Sequence, residues 1–61
     1  MIMNLSMFLS VIDGGENIRV TSHNDRHAIY EGKKVDCPFI DAEVIVVWAD
    51  RGGKIIIEVN K

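Results

Sequence analysis

Residues 43–59, EVIVVWADRGGKIIIEV, contain two apolar runs separated by a pair of glycines. The first run is Val44–Ala49 and the second is Ile55–Val59. Branching at Cβ favours strands, because such stiff side chains pack well on a pleated surface. The intervening Gly52-Gly53 is typical of a tight hairpin connection. The stretch therefore predicts two antiparallel strands, residues 43–50 and 54–59, that are hydrophobic along most of their length.

The register of this hairpin has two alternatives. A two-residue loop pairs Trp48 with Ile57, whereas a three-residue loop shifts the pairing by one and turns the first strand over. In both registers a second apolar face remains that one short helix cannot cover, and Ile56 lies on it. Its companions are Ile45, Val47 and Ala49 in the first register, or Val44, Val46 and Trp48 in the second. We predict a partner or oligomer interface made of Val44, Val46, Trp48 and Ile56, because apolar patches of this size rarely stay exposed.

The N-terminal part of the chain has the spacing of a helix. Leu5, Phe8, Leu9 and Ile12 recur at i, i+3, i+4 and i+7, which makes one apolar stripe. Asn4 is the expected N-cap, and Gly14 is the expected residue just after the helix. Such a short helix is stable only when it packs on a sheet.

The middle of the chain adds two strands, which we expect at residues 16–22 and 27–31. Residues 35–42 read as irregular, with Phe39 and Ile40 covering the core. The prediction is a single α+β domain over residues 1–61, with one short N-terminal helix packed on a four-stranded antiparallel sheet. A sheet curled towards a barrel is the alternative, because curling would also cover the second apolar face.

Composition limits the function classes. The 61 residues include nine isoleucines and seven valines but two leucines, which favours sheet. The net charge of −2 gives no long-range field to attract nucleic acid. The sequence contains no run of 18 apolar residues, so we expect no membrane-spanning helix. The single cysteine excludes an internal disulfide. We expect a cytoplasmic protein that does not act on membranes.

The only concentrated set of potential ligands is His23, Asp25 and His27. Two imidazoles and a carboxylate suit zinc, but the segment reads as a solvated hairpin turn. We predict no metal there and treat the three residues as candidate polar contacts. Cys37 lies beside Asp36, which raises rather than lowers a thiol pKa. With no nucleophile–base pair visible, we predict no catalytic residue, no cofactor and no enzymatic activity.

The whole-chain pattern resembles short uncharacterised proteins of Firmicutes and their phages and mobile elements. The residues that carry the resemblance are Leu5, Phe8-Leu9, Val11-Ile12-Asp13-Gly14, Ile18, Val20, Tyr30-Glu31-Gly32, Pro38, Val44–Ala49 and Ile55–Val59. The chain departs from the pattern in the His23–His27 turn and at Trp48. The resemblance implies a mobile-element accessory role, including inhibition of a host defence system, and it brings no catalytic residues.

Three function classes follow. The first is a protein-binding module or inhibitor that acts as a homo-oligomer, and it rests on the second apolar face. The alternative is an oligomeric small-ligand or nucleotide-binding protein, with contacts from Arg19, Arg26, Lys33 and Tyr30. Nucleic-acid binding is the least expected, because the few cations are dispersed in an acidic chain.

Overall fold

The computed structural model describes residues 3–61, which form one short helix and a four-stranded sheet. The elements are α1 Leu5–Leu9, β1 Asn17–Ser22, β2 Ala28–Lys33, a 3₁₀ turn Lys34–Asp36, β3 Glu43–Ala49 and β4 Ile55–Asn60. The predicted α+β class is confirmed. Each predicted strand is present, with ends that differ by two residues or fewer.

The sheet is mixed, which corrects the prediction of a purely antiparallel sheet. Its strand order is β2-β1-β4-β3, and the two central strands, β1 and β4, run parallel. The two hairpins are antiparallel, as expected. The prediction assumed that strands adjacent in sequence are adjacent in space, but residues 34–42 carry the chain across the sheet. The sheet has two edge strands, β2 and β3, that do not pair with each other, so it is not closed into a barrel.

The two central strands contribute the most deeply buried side chains. Their fully buried residues are Ile18, Val20, Ile57 and Val59. These four form one core cluster with Leu5 and Leu9 of α1 and with Ile40 and Ala42. Strands with such a continuous apolar face gain most by lying in the middle of the sheet, where neighbours on both sides exclude water. This burial explains why β1 pairs with β4 although they are distant in sequence.

The helix begins where the sequence indicated and ends earlier. The side chain of Asn4 accepts a hydrogen bond from the backbone N–H of Ser6 at 2.8 Å, which confirms the N-cap. After α1, Val11 N–H donates to Phe8 O and Ile12 N–H donates to Leu9 O. This three-residue spacing is that of a 3₁₀ turn, which is common at the ends of α-helices. Gly14 therefore lies beyond the helix and is not its capping residue.

The second hairpin takes the register in which Trp48 pairs with Ile56. This is the register of the predicted three-residue loop: Asp50 N–H donates to Lys54 O at 3.0 Å, which leaves residues 51–53 as the loop between the paired residues. The Asp50 carboxylate accepts hydrogen bonds from the N–H groups of Gly52 and Lys54, both at 2.9 Å. Gly53 has a φ of 86°, which favours glycine. The aspartate thus stabilises a longer loop than the glycine pair alone suggested.

The crossover segment covers one end of the core through a single side chain. Ile40 is buried, as expected, but Phe39 is 78% exposed, so the prediction that both cover the core is wrong for Phe39. Two neighbouring residues of an extended segment point in opposite directions, and only one can face the core. Within residues 3–61, no helix has the length and apolar character needed to cross a membrane.

Candidate binding surface

Among residues 3–61, no helix lies on one face of the sheet, and we call this face the open face. Strand register and side-chain alternation place on it Arg19, Thr21, Glu31, Val46, Trp48, Ile56 and Glu58. The set is apolar towards β3 and polar towards β1 and β2. Such a division separates a hydrophobic contact area from groups that can form specific hydrogen bonds.

The predicted interface residues are divided between the two faces. Val46, Trp48 and Ile56 share the open face, whereas Val44 packs against the core on the other side. The cause is a β-bulge at Ile45, which inserts one residue and reverses the alternation. Trp48 is 48% exposed and Val46 42%, and Ile56 is buried between the strands. That these residues form an interface stays a prediction.

A hydrogen-bonded chain fixes Trp48 on the open face. Its indole Nε1–H donates to one carboxylate oxygen of Glu58 at 3.0 Å, and His23 Nδ1 lies 3.0 Å from the other. The hydrogen bonds from His23 and then from Trp48 lower the pKa of the Glu58 carboxyl group, so it stays ionised at neutral pH. Both of its oxygens are therefore engaged.

A shallow depression of about 230 Å³ lies beside this network. Its lining residues are Arg19, Thr21, Arg26, Trp48, Ile56 and Glu58. Two polar atoms of this lining, Arg19 Nε and Thr21 Oγ1, are buried without a hydrogen-bond partner among the described residues. Buried polar groups are nearly always paired, because an unpaired one costs about 1–3 kcal/mol. These two atoms therefore distinguish this depression from the rest of the surface.

Two other depressions lack this feature. One lies between α1 and residues 34–40 and is mainly apolar, with a volume of about 430 Å³. The other, about 540 Å³, lies between Gly15–Asn17 and the β3–β4 loop and is mostly polar. Neither has a lining side chain with a buried, unpartnered polar atom in the part of the chain that the structure describes.

Strand β3 forms an edge that is only partly covered. Val44 N–H donates to Met3 and Leu5 N–H donates to Ala42, so the segment before α1 covers the start of this edge. Beyond that point no residue from 3 to 61 pairs with the outer side of β3. Asp50 N–H points towards β4, where it donates to Lys54. By strand alternation, the backbone groups of Val47 and Ala49 point outwards.

The candidate polar residues of the first hairpin are not brought together. His23 contacts Glu58, whereas His27 Nδ1 lies 3.7 Å from Asp25 and both side chains are largely exposed. Over residues 3–61, no group of three or more His, Cys, Asp or Glu side chains is arranged to hold a metal ion. Partial burial raises the pKa of the Cys37 thiol, which disfavours the reactive thiolate.

The residues predicted to contact a small ligand or nucleotide are not all brought together either. Arg19 and Arg26 line the same depression, but Tyr30 packs against the core and donates its hydroxyl to Lys33 O at 2.6 Å. Thr21 was not identified from the sequence. Its position two residues after Arg19, between core-facing neighbours, did indicate the open side of β1. No sequence pattern indicates that the hydroxyl is buried without a partner among the described residues.

Comparison with known proteins adds no relative: no family model, no curated protein and no solved structure matches this chain.

Proposed function

We propose that this chain is a non-enzymatic protein-binding module that works as a homo-oligomer, with two copies paired along β3. The supporting observation is a run of four consecutive apolar residues, Ile45–Trp48, each 40–48% exposed on an edge strand. A long apolar edge is a template for pairing with another strand, and proteins usually block it with charge, proline or a covering segment. Residues 45–49 contain neither charge nor proline.

A second copy fits this edge well. Antiparallel pairing about a two-fold axis at Val47 sets Val46 opposite Trp48 of the other copy, on the same face of the joined sheet. Aromatic and β-branched residues form favourable cross-strand pairs. The segment that covers Ala42–Val44 limits the pairing to residues 45–49, so we expect a modest dimer rather than an open-ended fibre.

The dimer leaves the open face of each copy accessible. Trp48 and Val46 then form a continuous apolar strip across two copies, which suits a larger protein partner. The mobile-element accessory role that the resemblance implies, including inhibition of a host protein, fits a strip of this kind because blocking a partner requires no catalytic group. The oligomer is the step that can be tested directly.

The test compares two variants of the same edge residue by native mass spectrometry at protein concentrations from 5 to 200 μM. In Val47→Pro the outward N–H is lost, and proline is tolerated on an edge strand when its nitrogen faces solvent. We expect wild-type dimers and Val47→Pro monomers. Val47→Thr keeps both the N–H and the shape, so it should still dimerise. A monomeric wild-type protein, or a dimer that persists in Val47→Pro, contradicts the proposal.

A second candidate function, small-ligand binding, is favoured by the unpartnered Arg19 Nε and Thr21 Oγ1. It does not require the β3 dimer, because these atoms lie on β1.

A further inference from the structure

We propose that the depression lined by Arg19, Thr21 and Trp48 is a binding site for a small carboxylate that carries an apolar or aromatic body. The site is independent of pairing at β3, since it lies on the open face of a single copy. It would give the chain a recognition function in addition to self-association.

The unpartnered donors define the first part of the ligand. Arg19 Nε–H can only donate, and together with the adjacent terminal N–H it forms the fork that binds a carboxylate in a bidentate manner. Thr21 is only 7% exposed, and its Oγ1–H can donate a hydrogen bond to the same carboxylate. Both atoms are buried, so an oxyanion reaches them only when the side chains that line the depression move aside, and it can then accept a hydrogen bond from each.

Charge narrows the ligand to a monoanion. The depression is lined by two cations, Arg19 and Arg26, and by one carboxylate, Glu58. Glu58 is held by His23 and Trp48, so it is not available as a partner for either arginine, yet its charge remains. Glu31, which lies opposite Arg19 on β2, is paired with Lys54, so these two charges cancel. The site keeps one net positive charge, which matches a carboxylate better than a phosphate dianion.

Size and surface define the rest of the ligand. At about 230 Å³ the depression is smaller than the sites that hold drug-sized ligands, which start near roughly 300 Å³. It suits one ring or one branched side chain placed against Trp48 and Ile56. Two sources share this chemistry: a free aryl or alkyl carboxylate, and the C-terminal residue of a peptide.

The test is an NMR titration of the full chain labelled with ¹⁵N, with phenylacetate as the probe and phenylacetamide as its uncharged control. Arg19 Nε–H and Trp48 Nε1–H report directly on the site. We expect both signals to shift with phenylacetate, with a Kd of about 1–10 mM for so small a ligand. A parallel titration uses acetyl-Ala-Phe with a free C-terminus and its C-terminal amide. Binding of either acid supports the site, and the tighter of the two identifies the source.

Matched variants assign the contact. Thr21→Val keeps the shape and removes the hydroxyl, so the Kd should rise about threefold to tenfold. Thr21→Ser restores the hydroxyl and should bind within about twofold of wild type. Arg19→Gln should abolish the shifts at Trp48. Arg51→Gln changes an exposed arginine in the β3–β4 loop and should leave the Kd unchanged.

Three results overturn the site: no shift at 50 mM of either acid, equal shifts with acid and amide, or the same Kd for Thr21→Val as for wild type. The same titrations with the Val47→Pro variant separate carboxylate binding from self-association. Failure of carboxylate binding leaves the dimer result standing, and a monomeric wild-type protein leaves the carboxylate result standing.

Discussion

Ile57 and Ile56 are neighbours in β4 that lie on opposite faces of the sheet, and both are buried. Ile57 belongs to the core cluster beneath α1, where apolar side chains surround it on every side. Ile56 lies outside that cluster, between Trp48 and the residues of β1. Ile57 is thus buried by the apolar side chains of the core, whereas Ile56 is buried by side chains that also line the depression on the open face.

The two faces also differ in how their buried polar groups are paired. On the helix-covered face the polar group that is buried, Ser22, has its hydrogen bonds: its hydroxyl donates to Lys61 O and accepts from Asp25 N–H. On the open face the neighbouring Thr21 hydroxyl has no hydrogen-bond partner within residues 3–61. A face that only had to stabilise the chain would gain by replacing this hydroxyl with a methyl group, which suggests that the open face has another role.

The largest expected effect compares Ile57→Ala with Ile56→Ala. A cavity in a closed core costs about 2–5 kcal/mol, and we expect Ile57→Ala to lie in this range. Trp48 and Arg19 can move into the space left by Ile56→Ala, so its cost should be about half as large. Urea denaturation followed by circular dichroism gives both values.

A control guards against complete unfolding of the alanine variant. Ile57→Val removes one methyl group and should cost about 0.5–1.5 kcal/mol, more than Ile56→Val. Equal losses of unfolding free energy in the two valine variants would show that the helix-covered face and the open face are packed equally tightly, contrary to this prediction.

The second effect contrasts the neighbouring hydroxyls of β1. Ser22→Ala removes a buried, fully bonded hydroxyl and should destabilise the chain by about 1–2 kcal/mol. Thr21→Val removes an unpartnered hydroxyl without changing the shape and should stabilise the chain by about 1 kcal/mol. The same urea titrations measure both. A loss of stability in Thr21→Val would show that its hydroxyl is already satisfied.

Much of this division could be predicted from the sequence. The alternation of Ile18 and Val20 with Arg19 and Thr21 indicates two different faces of β1. Ile18 and Val20 do lie in the core, but Thr21, on the other face, is buried as well. The strand order could not be predicted, because parallel pairing of β1 with β4 depends on which strands bury most surface together. The bulge at Ile45 was also hidden, since an unbroken apolar run gives no sign of where the alternation reverses.

The candidate site was predicted only in part. Val46, Trp48 and Ile56 were identified by their apolar character, whereas Val44 was assigned to the wrong face because of the bulge. The hydrogen bond of His23 to Glu58 joins residues 35 positions apart in sequence, so it depends on the tertiary pairing of β1 with β4.

The smallest expected effect concerns Glu58, the residue that links the two parts of the open face. Its folded-state pKa is lowered, so its contribution to stability is present above the ordinary value of 4.5 and is lost as the pH falls through the folded-state pKa. Glu58→Gln should therefore be less stable than wild type at pH 7, and the difference should shrink at pH 3. Urea midpoints at both pH values test this.

Glu31 provides the comparison, because it also lies on the open face and its pKa is lowered by the hydrogen bond from Lys54. The Glu31 side chain is 47% exposed and that of Glu58 is 18% exposed, so solvent screens the Glu31 carboxylate more strongly. Glu31→Gln should lose less stability at pH 7 than Glu58→Gln. The indole Nε1–H signal of Trp48 adds a local measure, since only Glu58→Gln should change its acid titration. If both variants leave that signal unchanged, the carboxylate of Glu58 does not hold the indole, and the apolar and polar halves of the open face are not connected through it.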